Sequence, residues 1–113
     1  MVSFGELRSV NVSRKIKWHG DTDGWIGSDW ATAMGGECGE ALNVVKKLRR
    51  AEMGIANRGD PDPNELKVML GFEIADTVIY GDLLAAYYGI DLNGCVVTKF
   101  NAVSVKFGFP ERL

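Results

Sequence analysis

The sequence predicts an all-α fold, a bundle of four helices that self-association completes. Three observations support this prediction. Apolar residues recur at intervals of three and four along four segments, which is the period of an α-helix. No segment alternates apolar and polar residues in the manner of a half-buried strand. Glycine, proline and capping residues separate the four segments, so the connections between helices are short to medium in length.

The first predicted helix spans residues 4–18. Ser3 and Glu6 have the spacing of a capping box, in which each side chain satisfies a backbone N–H of the other. The residues expected on its buried face are Leu7, Val10 and Arg14. Gly20 to Gly24 ends the helix and is interpreted as a turn, because His19 and Trp30 stand where a calcium loop needs acidic ligands.

The second predicted helix begins at a cap formed by Ser28 or Asp29 and continues to about residue 51. It contains Gly35, Gly36 and Gly39, each of which costs up to about 1 kcal/mol relative to alanine inside a helix. Two interpretations stay open: close packing against another helix, or room for a ligand or metal beside the backbone. Residues 46–50 place four cations in the last turns, where the helix dipole favours them.

The third and fourth helices are predicted from their caps. Asp62 precedes Pro63 and Glu65, a strong helix start, and this helix is expected to span residues 63–88 before Gly89 ends it. The polar, glycine-containing residues 53–60 form the preceding loop. Asp91 caps the fourth helix, over residues 92–107, which Gly108 stops.

Two pairs of carboxylates stand out because each lies on an apolar helix face. Glu37 and Glu40 are three residues apart on the second helix, and Glu73 and Asp76 are three apart on the third. Residues at this spacing share one side of a helix. On a helical wheel both pairs fall within the apolar stripe, whereas Asp82 falls on the opposite, solvent side. Acids are usually solvated surface residues, but two matched pairs on apolar faces favour a functional cluster.

Four facing acids without a counter-charge would repel one another, and a divalent cation removes that repulsion. Oxygen-only ligands favour Mg²⁺, with Mn²⁺ as the alternative. His19 is the single histidine, so zinc sites and di-iron sites of the Glu-x-x-His type are not expected.

Several neighbouring residues could contact a substrate of such a site. Lys47, two turns beyond Glu40 on the same edge, suits a polyphosphate; a solvated helix-terminal cation is the alternative. Trp30, two turns before Glu37, could stack on a base or could simply fill the core. Lys99 and Asn101 on the fourth helix are further polar candidates.

These residues resemble the motifs of the MazG-like all-α nucleoside triphosphate pyrophosphohydrolases, a superfamily that includes dCTP pyrophosphatases and dimeric dUTPases. The resemblance covers about residues 28–109, although the connection between the two acid pairs is long for the family. The matching positions are Trp30, Gly36 to Glu40, Lys47, Glu73 to Asp76, Tyr80, Gly89 to Leu92 and Lys99 to Asn101.

The resemblance implies a function and a set of roles. Glu37, Glu40, Glu73 and Asp76 would be the Mg²⁺ ligands and catalytic acids, with Lys47, Lys99 and Asn101 near the phosphates or sugar of the substrate. The implied reaction converts a (deoxy)nucleoside triphosphate to its monophosphate and pyrophosphate, as in clearing the nucleotide pool of unwanted species. The implied assembly is a homodimer or a dimer of dimers.

The composition limits the other classes of protein to which the chain could belong. At 113 residues the chain suits one domain, residues 1–113, and its net charge of −2 gives no footprint for nucleic acid. No uncharged run approaches the roughly 20 residues of a membrane span. Cys38 and Cys95 form no disulfide framework and no signal peptide is evident, so we expect a cytoplasmic protein with reduced thiols. A non-catalytic helical dimer that binds a nucleotide or metal as an interaction or regulatory module is the alternative function.

Overall fold

The computed structural model describes residues 1–20 and 24–113, which contain four α-helices and the segments that connect or flank them. They are α1 (Phe4–His19), α2 (Gly27–Glu52), α3 (Pro63–Tyr87) and α4 (Leu92–Phe107). The described residues contain no strand, so the all-α prediction is confirmed and each helix lies within about two residues of its predicted position. The centre of the turn expected at residues 20–24 lies outside the described residues. No helix in the described ranges combines the length and apolarity needed to cross a membrane.

Three of the predicted helix starts have the expected hydrogen bonds. Ser3 Oγ accepts from the backbone N–H of Glu6, and Glu6 Oε2 accepts from the backbone N–H of Ser3. Asp62 Oδ1 accepts from the N–H groups of the second and third residues of α3, and Asp91 Oδ1 accepts from that of Gly94. These bonds satisfy donors that a helix leaves unpaired in its first turn, so they fix where each helix begins.

The start of α2 differs from the prediction. Its cap is Ile26, and both Ser28 and Asp29 lie inside the first turn. Asp29 Oδ2 accepts from the backbone N–H of Ile26 at 2.9 Å. The acid therefore acts from the third helical position backwards, as the second half of a capping box does, and the helix begins earlier than a cap at residue 28 or 29 would allow.

The chain divides into two compact units. One comprises Met1–Gly24 together with Asp82–Leu113, and the other comprises Trp25–Gly81. The second unit contains α2, most of α3 and both pairs of acids. Its buried apolar side chains include those of Trp30, Val44 and Leu66.

Asp82 corrects the sequence prediction for α3, because it is not on a solvent side. Its side chain is fully buried (0% exposed). It accepts hydrogen bonds from Arg8 Nε at 2.9 Å and from Asn11 Nδ2 at 3.1 Å, and Arg8 also donates to the carbonyl of Ile90 at 3.0 Å. A buried carboxylate needs a paired charge and hydrogen bonds, and α1 supplies both.

The predicted buried face of α1 is wrong for the same reason. Val10 is 68% exposed and Arg14 is exposed, whereas Asn11 is buried and Leu7 is half-buried. The sequence prediction took the side of α1 that carries the apolar residues as its buried face. The helix instead turns Asn11 inward, because this residue and Arg8 carry the donors that Asp82 needs.

A bidentate contact closes the connection between α2 and α3. Arg50 Nη2 lies 3.2 Å from Asp60 Oδ1 and 3.1 Å from Asp60 Oδ2. The backbone N–H of Asn57 donates to Asp60 Oδ2 at 3.0 Å. Gly59, with φ of 92°, has the left-handed conformation that side chains rarely adopt. The turn at this glycine directs the following acid back onto the last turn of α2.

Candidate metal centre

Three of the four predicted acids meet in the unit Trp25–Gly81. Glu37 of α2 and Glu73 and Asp76 of α3 each offer a carboxylate oxygen, and these oxygens lie within 4.8 Å of one another. We call these three residues the acidic cluster. Glu73 and Asp76 share one face of α3 because they are three residues apart, and Glu37 reaches them from the neighbouring helix. Both glutamates are half-buried, so water screens their charges only in part.

The electrostatic state of Glu37 reflects this crowding. Partial burial raises the pKa of Glu37 above its ordinary value, and the charge of Asp76 raises it further. A side-chain hydrogen bond with Glu73 and the charges of Glu73 and Glu40 act in the same direction. Each of these influences disfavours the ionised carboxylate. The cluster therefore favours either a retained proton or a neighbouring cation.

Glu40 does not join the acidic cluster in the arrangement described. Its charge acts on Glu37, but its oxygens are not among those that lie within 4.8 Å of one another. Glu40 is exposed, so its side chain is free to change rotamer. Its role as a fourth ligand stays a prediction.

The donor set fits a small, hard divalent cation. Mg²⁺ holds oxygens at about 2.1 Å, so ligands on opposite sides of one ion stand about 4.2 Å apart. The cluster oxygens spread over 4.8 Å at most, so side-chain shifts of under about 1 Å would bring them around one Mg²⁺. Mn²⁺ takes the same ligands. Ca²⁺ prefers about 2.3–2.6 Å, so this spacing also accommodates the larger ion.

Aromatic rings form a stack in the same unit. The ring centroids of Trp30 and Tyr80 are 6.4 Å apart, and those of Trp25 and Trp30 are 4.5 Å apart. Trp30 is 2% exposed, whereas Trp25 is 37% exposed. The roles of Trp30 and Tyr80 in substrate binding stay predictions.

The glycines inside α2 have open space beside them. A Cβ built at Gly35, Gly36 or Gly39 would meet no described atom within 4 Å. Close packing within this chain therefore does not explain these residues. At Gly81 of α3, in contrast, a Cβ would lie 3.3 Å from Met34 Sδ, so a larger residue there would require the methionine side chain to shift slightly. The interpretation of the three α2 glycines as room for a ligand or metal stays open.

The remaining predicted contact residues have other described partners or belong to the other compact unit. Lys47 is half-buried, and its charge acts on Asp60. Lys99 and Asn101 belong to the other compact unit. Lys99 borders a shallow, mainly apolar depression on α4. Asn101 Oδ1 accepts from the backbone N–H of Leu113 at 2.8 Å. Substrate roles for these three residues stay predictions.

Sequence reasoning missed two features of this unit. The contact between Trp25 and Trp30 is one of them, because Trp25 precedes the start of α2 and a helical wheel does not place residues outside the helix. The Arg50–Asp60 pair was also missed, because Arg50 reads as an ordinary helix-terminal cation. A charged residue next to a glycine in a loop was the available signal.

No protein-family model matches the chain, and a search of curated proteins found no significant match.

Proposed function

We propose that this protein hydrolyses (deoxy)nucleoside triphosphates to nucleoside monophosphates and pyrophosphate with the help of Mg²⁺. The observation that carries the proposal is the acidic cluster, in which carboxylates of two helices converge within 4.8 Å. The resemblance of the four-acid pattern to the MazG-like enzymes supplies the reaction. Glu37, Glu73 and Asp76 would bind the ion, and Glu40 would join them after a rotamer change.

The proposed reaction breaks the anhydride bond between the α and β phosphates. Water adds to phosphorus, one of its protons is lost, and pyrophosphate leaves as the other product. A bound divalent ion supplies neutralising charge and orients the phosphate oxygens and the water. The residues of the chain hold this arrangement in place. One of the four acids would also act as the base that accepts the proton of the water, and Glu40 is our choice.

The nucleoside would lie toward the aromatic stack. Trp30 is two turns before Glu37, about 10 Å along the helix at 1.5 Å per residue, which suits a base whose triphosphate reaches the acids. Stacking of one base on an aromatic side chain is typically worth about 1–3 kcal/mol. Trp25 offers an exposed ring face, with Trp30 and Tyr80 behind it. Lys47 would contact the phosphates, and Lys99 and Asn101 would contact the phosphates or sugar.

A second copy of the chain belongs to the proposal. Few apolar side chains are buried in the unit Trp25–Gly81, whereas Leu42, Val68 and Phe72 are each more than 60% exposed. Large exposed apolar side chains in such numbers mark an interaction surface. Val68 and Phe72 are four residues apart and therefore share one face of α3. A homodimer, or a dimer of dimers, would cover them.

A panel of all common ribo- and deoxyribonucleoside triphosphates tests the reaction. Each is incubated with the protein and Mg²⁺, and the nucleoside mono- and diphosphate products are separated. We expect the monophosphate and pyrophosphate from at least one nucleotide, and no turnover after chelation with EDTA. Release of the diphosphate and orthophosphate would contradict the proposed bond cleavage. Binding of a nucleotide without any turnover would instead favour the non-catalytic binding module.

A further inference from the structure

In the last turns of α2, one acid forms an ion pair with Arg50 and lies within the electrostatic influence of Lys47. Lys47 and Arg50 are three residues apart and so lie on one edge of the helix. Arg50 contacts both carboxylate oxygens of Asp60 through the single nitrogen Nη2, at 3.2 and 3.1 Å, and Lys47 acts on Asp60 through its charge. We call these two cations the Lys47–Arg50 edge. The acid that occupies it comes from the connection between α2 and α3.

A guanidinium fork binds carboxylates and phosphates through the same geometry, with paired N–H donors on two oxygens. The fork of Arg50 is also not fully used. Arg50 Nε is buried and has no hydrogen-bond partner among the described residues, although an unmatched buried donor is costly. An oxyanion with three or more oxygens could use this donor as well as those that Asp60 engages.

We propose that the Lys47–Arg50 edge is an oxyanion site that Asp60 closes, so that the connection between α2 and α3 competes with phosphate groups for these cations. The identification of the oxyanion as part of the substrate or product polyphosphate rests on the proposed function. The oxyanion site itself does not, because it depends only on the residues 47, 50 and 60.

The connection is built to present its acid at this edge. Asp60 follows Gly59 at its left-handed turn, and the Asn57 N–H aligns one carboxylate oxygen. Burial alone would raise the pKa of Asp60, but the hydrogen bonds from Arg50 and Asn57 and the charges of Arg50 and Lys47 outweigh burial and lower it. The acid is therefore a charged occupant at neutral pH, as a phosphate competitor must be.

The position also suits a polyphosphate. Lys47 is about 10 Å beyond Glu40 along α2, and Arg50 one further turn beyond that, at 1.5 Å per residue. A triphosphate held at the acidic cluster could extend along the helix toward this edge, where Asp60 would have to give way to it.

Asp60→Asn tests the proposal, because it keeps the shape of the side chain and removes its charge. Binding of inorganic pyrophosphate is measured by calorimetry in EDTA, so that no metal ion recruits it to the acidic cluster. If Asp60 occupies the edge about nine-tenths of the time, the variant should bind about tenfold more tightly. Glu52→Gln is the matched control, since Glu52 pairs with Arg49 at 3.4 Å and both side chains are exposed.

Three results would overturn the proposal. One is unchanged pyrophosphate binding in Asp60→Asn, which would make the contact a structural clamp only. Another is an equal gain in pyrophosphate affinity in Glu52→Gln, which would mean that the change in net charge alone explains the effect. The third is a gain in affinity that persists in the double variant Asp60→Asn/Arg50→Gln, which would exclude the Arg50 guanidinium from the binding site.

A second measurement uses the unmodified protein and so does not depend on the folding of a variant. Arg58 is exposed in the connection. Pyrophosphate should displace Asp60, loosen the connection and speed tryptic cleavage after Arg58, followed by mass spectrometry. Unchanged or slower cleavage would contradict the proposal. Tighter pyrophosphate binding in Asp60→Asn with no hydrolysis of any nucleotide would support the oxyanion site and contradict the proposed function. Hydrolysis of a nucleotide with unchanged pyrophosphate binding in Asp60→Asn would support the proposed function and contradict the oxyanion site.

Discussion

Glu37 and Glu73 lie on different helices, and their carboxyl groups are close enough to share a hydrogen bond. Two carboxyl groups can share such a bond only while one of them holds a proton. Asp76 adds a third carboxylate oxygen within 4.8 Å. These neighbours raise the pKa of Glu37, so a cation beside the three acids would favour its ionised form, and this relationship motivates the first prediction.

Glu73→Gln should nearly abolish nucleotide turnover while leaving the fold intact. The amide keeps the shape of the side chain but removes one negative charge from the proposed ion site. The measurements are kcat over a Mg²⁺ titration and the helical circular dichroism signal. We also expect Mg²⁺ to raise the Tm of the unmodified protein, because a ligand that binds only the folded state stabilises it.

Glu65→Gln is the control for this substitution. Glu65 is an exposed acid in the first turn of the same helix, and its loss should leave turnover unchanged. Turnover at the unmodified rate in Glu73→Gln at saturating Mg²⁺ would place the site elsewhere. Mn²⁺ and Ca²⁺ belong in the same titration, since the oxygen spacing admits all three ions.

Phe72→Glu should convert an oligomer to a monomer. Phe72 is 68% exposed, so the charge costs little in a single chain but would be buried and unpaired in an interface. Light scattering at micromolar concentration gives the mass of both forms. A monomeric unmodified protein would remove the second copy from the proposal.

Trp25→Leu and Trp30→Leu should have different effects. Loss of about 1.4 kcal/mol of stacking corresponds to a tenfold higher KM, and we expect this for Trp25→Leu with little change in Tm because the ring is partly exposed. Trp30 is buried, so its replacement should lower Tm by several degrees as well as raise KM. In a domain of this size, each kcal/mol of lost folding stability lowers Tm by about 4–8 °C. An unchanged KM in both variants would exclude the aromatic stack from the substrate site.

Arg8→Gln should destabilise the fold by about 3–5 kcal/mol, because it leaves the buried Asp82 without its charged partner. Arg14→Gln removes an equivalent charge from an exposed position on α1 and should change stability by less than about 0.5 kcal/mol. Urea unfolding of the two variants gives the comparison. Similar small losses of stability in the Arg8 and Arg14 variants would mean that Asp82 can stay buried without the charge of Arg8, with Asn11 as its remaining donor.

Asp60 should make stability depend on pH in the acid range. Its pKa is lower in the folded chain, so its contribution is present above the pKa of an unfolded aspartate, about 3.9, and is lost as pH falls through the folded value. Melting curves from neutral to acidic pH should therefore show the difference in Tm between the unmodified protein and Asp60→Asn narrowing. A constant difference over that range would contradict the lowered pKa.

Local patterns in the sequence predicted the helices and the acidic cluster. Caps at Ser3, Asp62 and Asp91 act over three residues, so their hydrogen bonds can be inferred from spacing alone. The convergence of Glu37 with Glu73 and Asp76 followed from two apolar stripes that had to face each other. A fourth acid on the same stripe, Glu40, shows the limit of this reasoning, because a wheel gives direction but not the rotamer.

Asp82 could not be placed in this way. A wheel drawn for one helix identifies its most apolar side, but α3 is apolar around most of its circumference, and which helix covers each side is a tertiary property. The partners of Asp82 lie 74 and 71 positions away in the chain, beyond the range of any local pattern. Buried polar networks of this kind override propensity.

The same separation gives the protein a particular order of assembly during synthesis. At roughly 5–20 residues per second, a ribosome would add Asp82 about 4–15 s after Arg8. Until then α1, a 16-residue helix, lacks the carboxylate that accepts from Arg8 and Asn11, and isolated helices of about that length are marginal in water. α1 is therefore translated before the acid that it binds and can form this contact only after Asp82 has been added, and a nascent chain halted before Asp82 would expose α1 to chaperones and proteases.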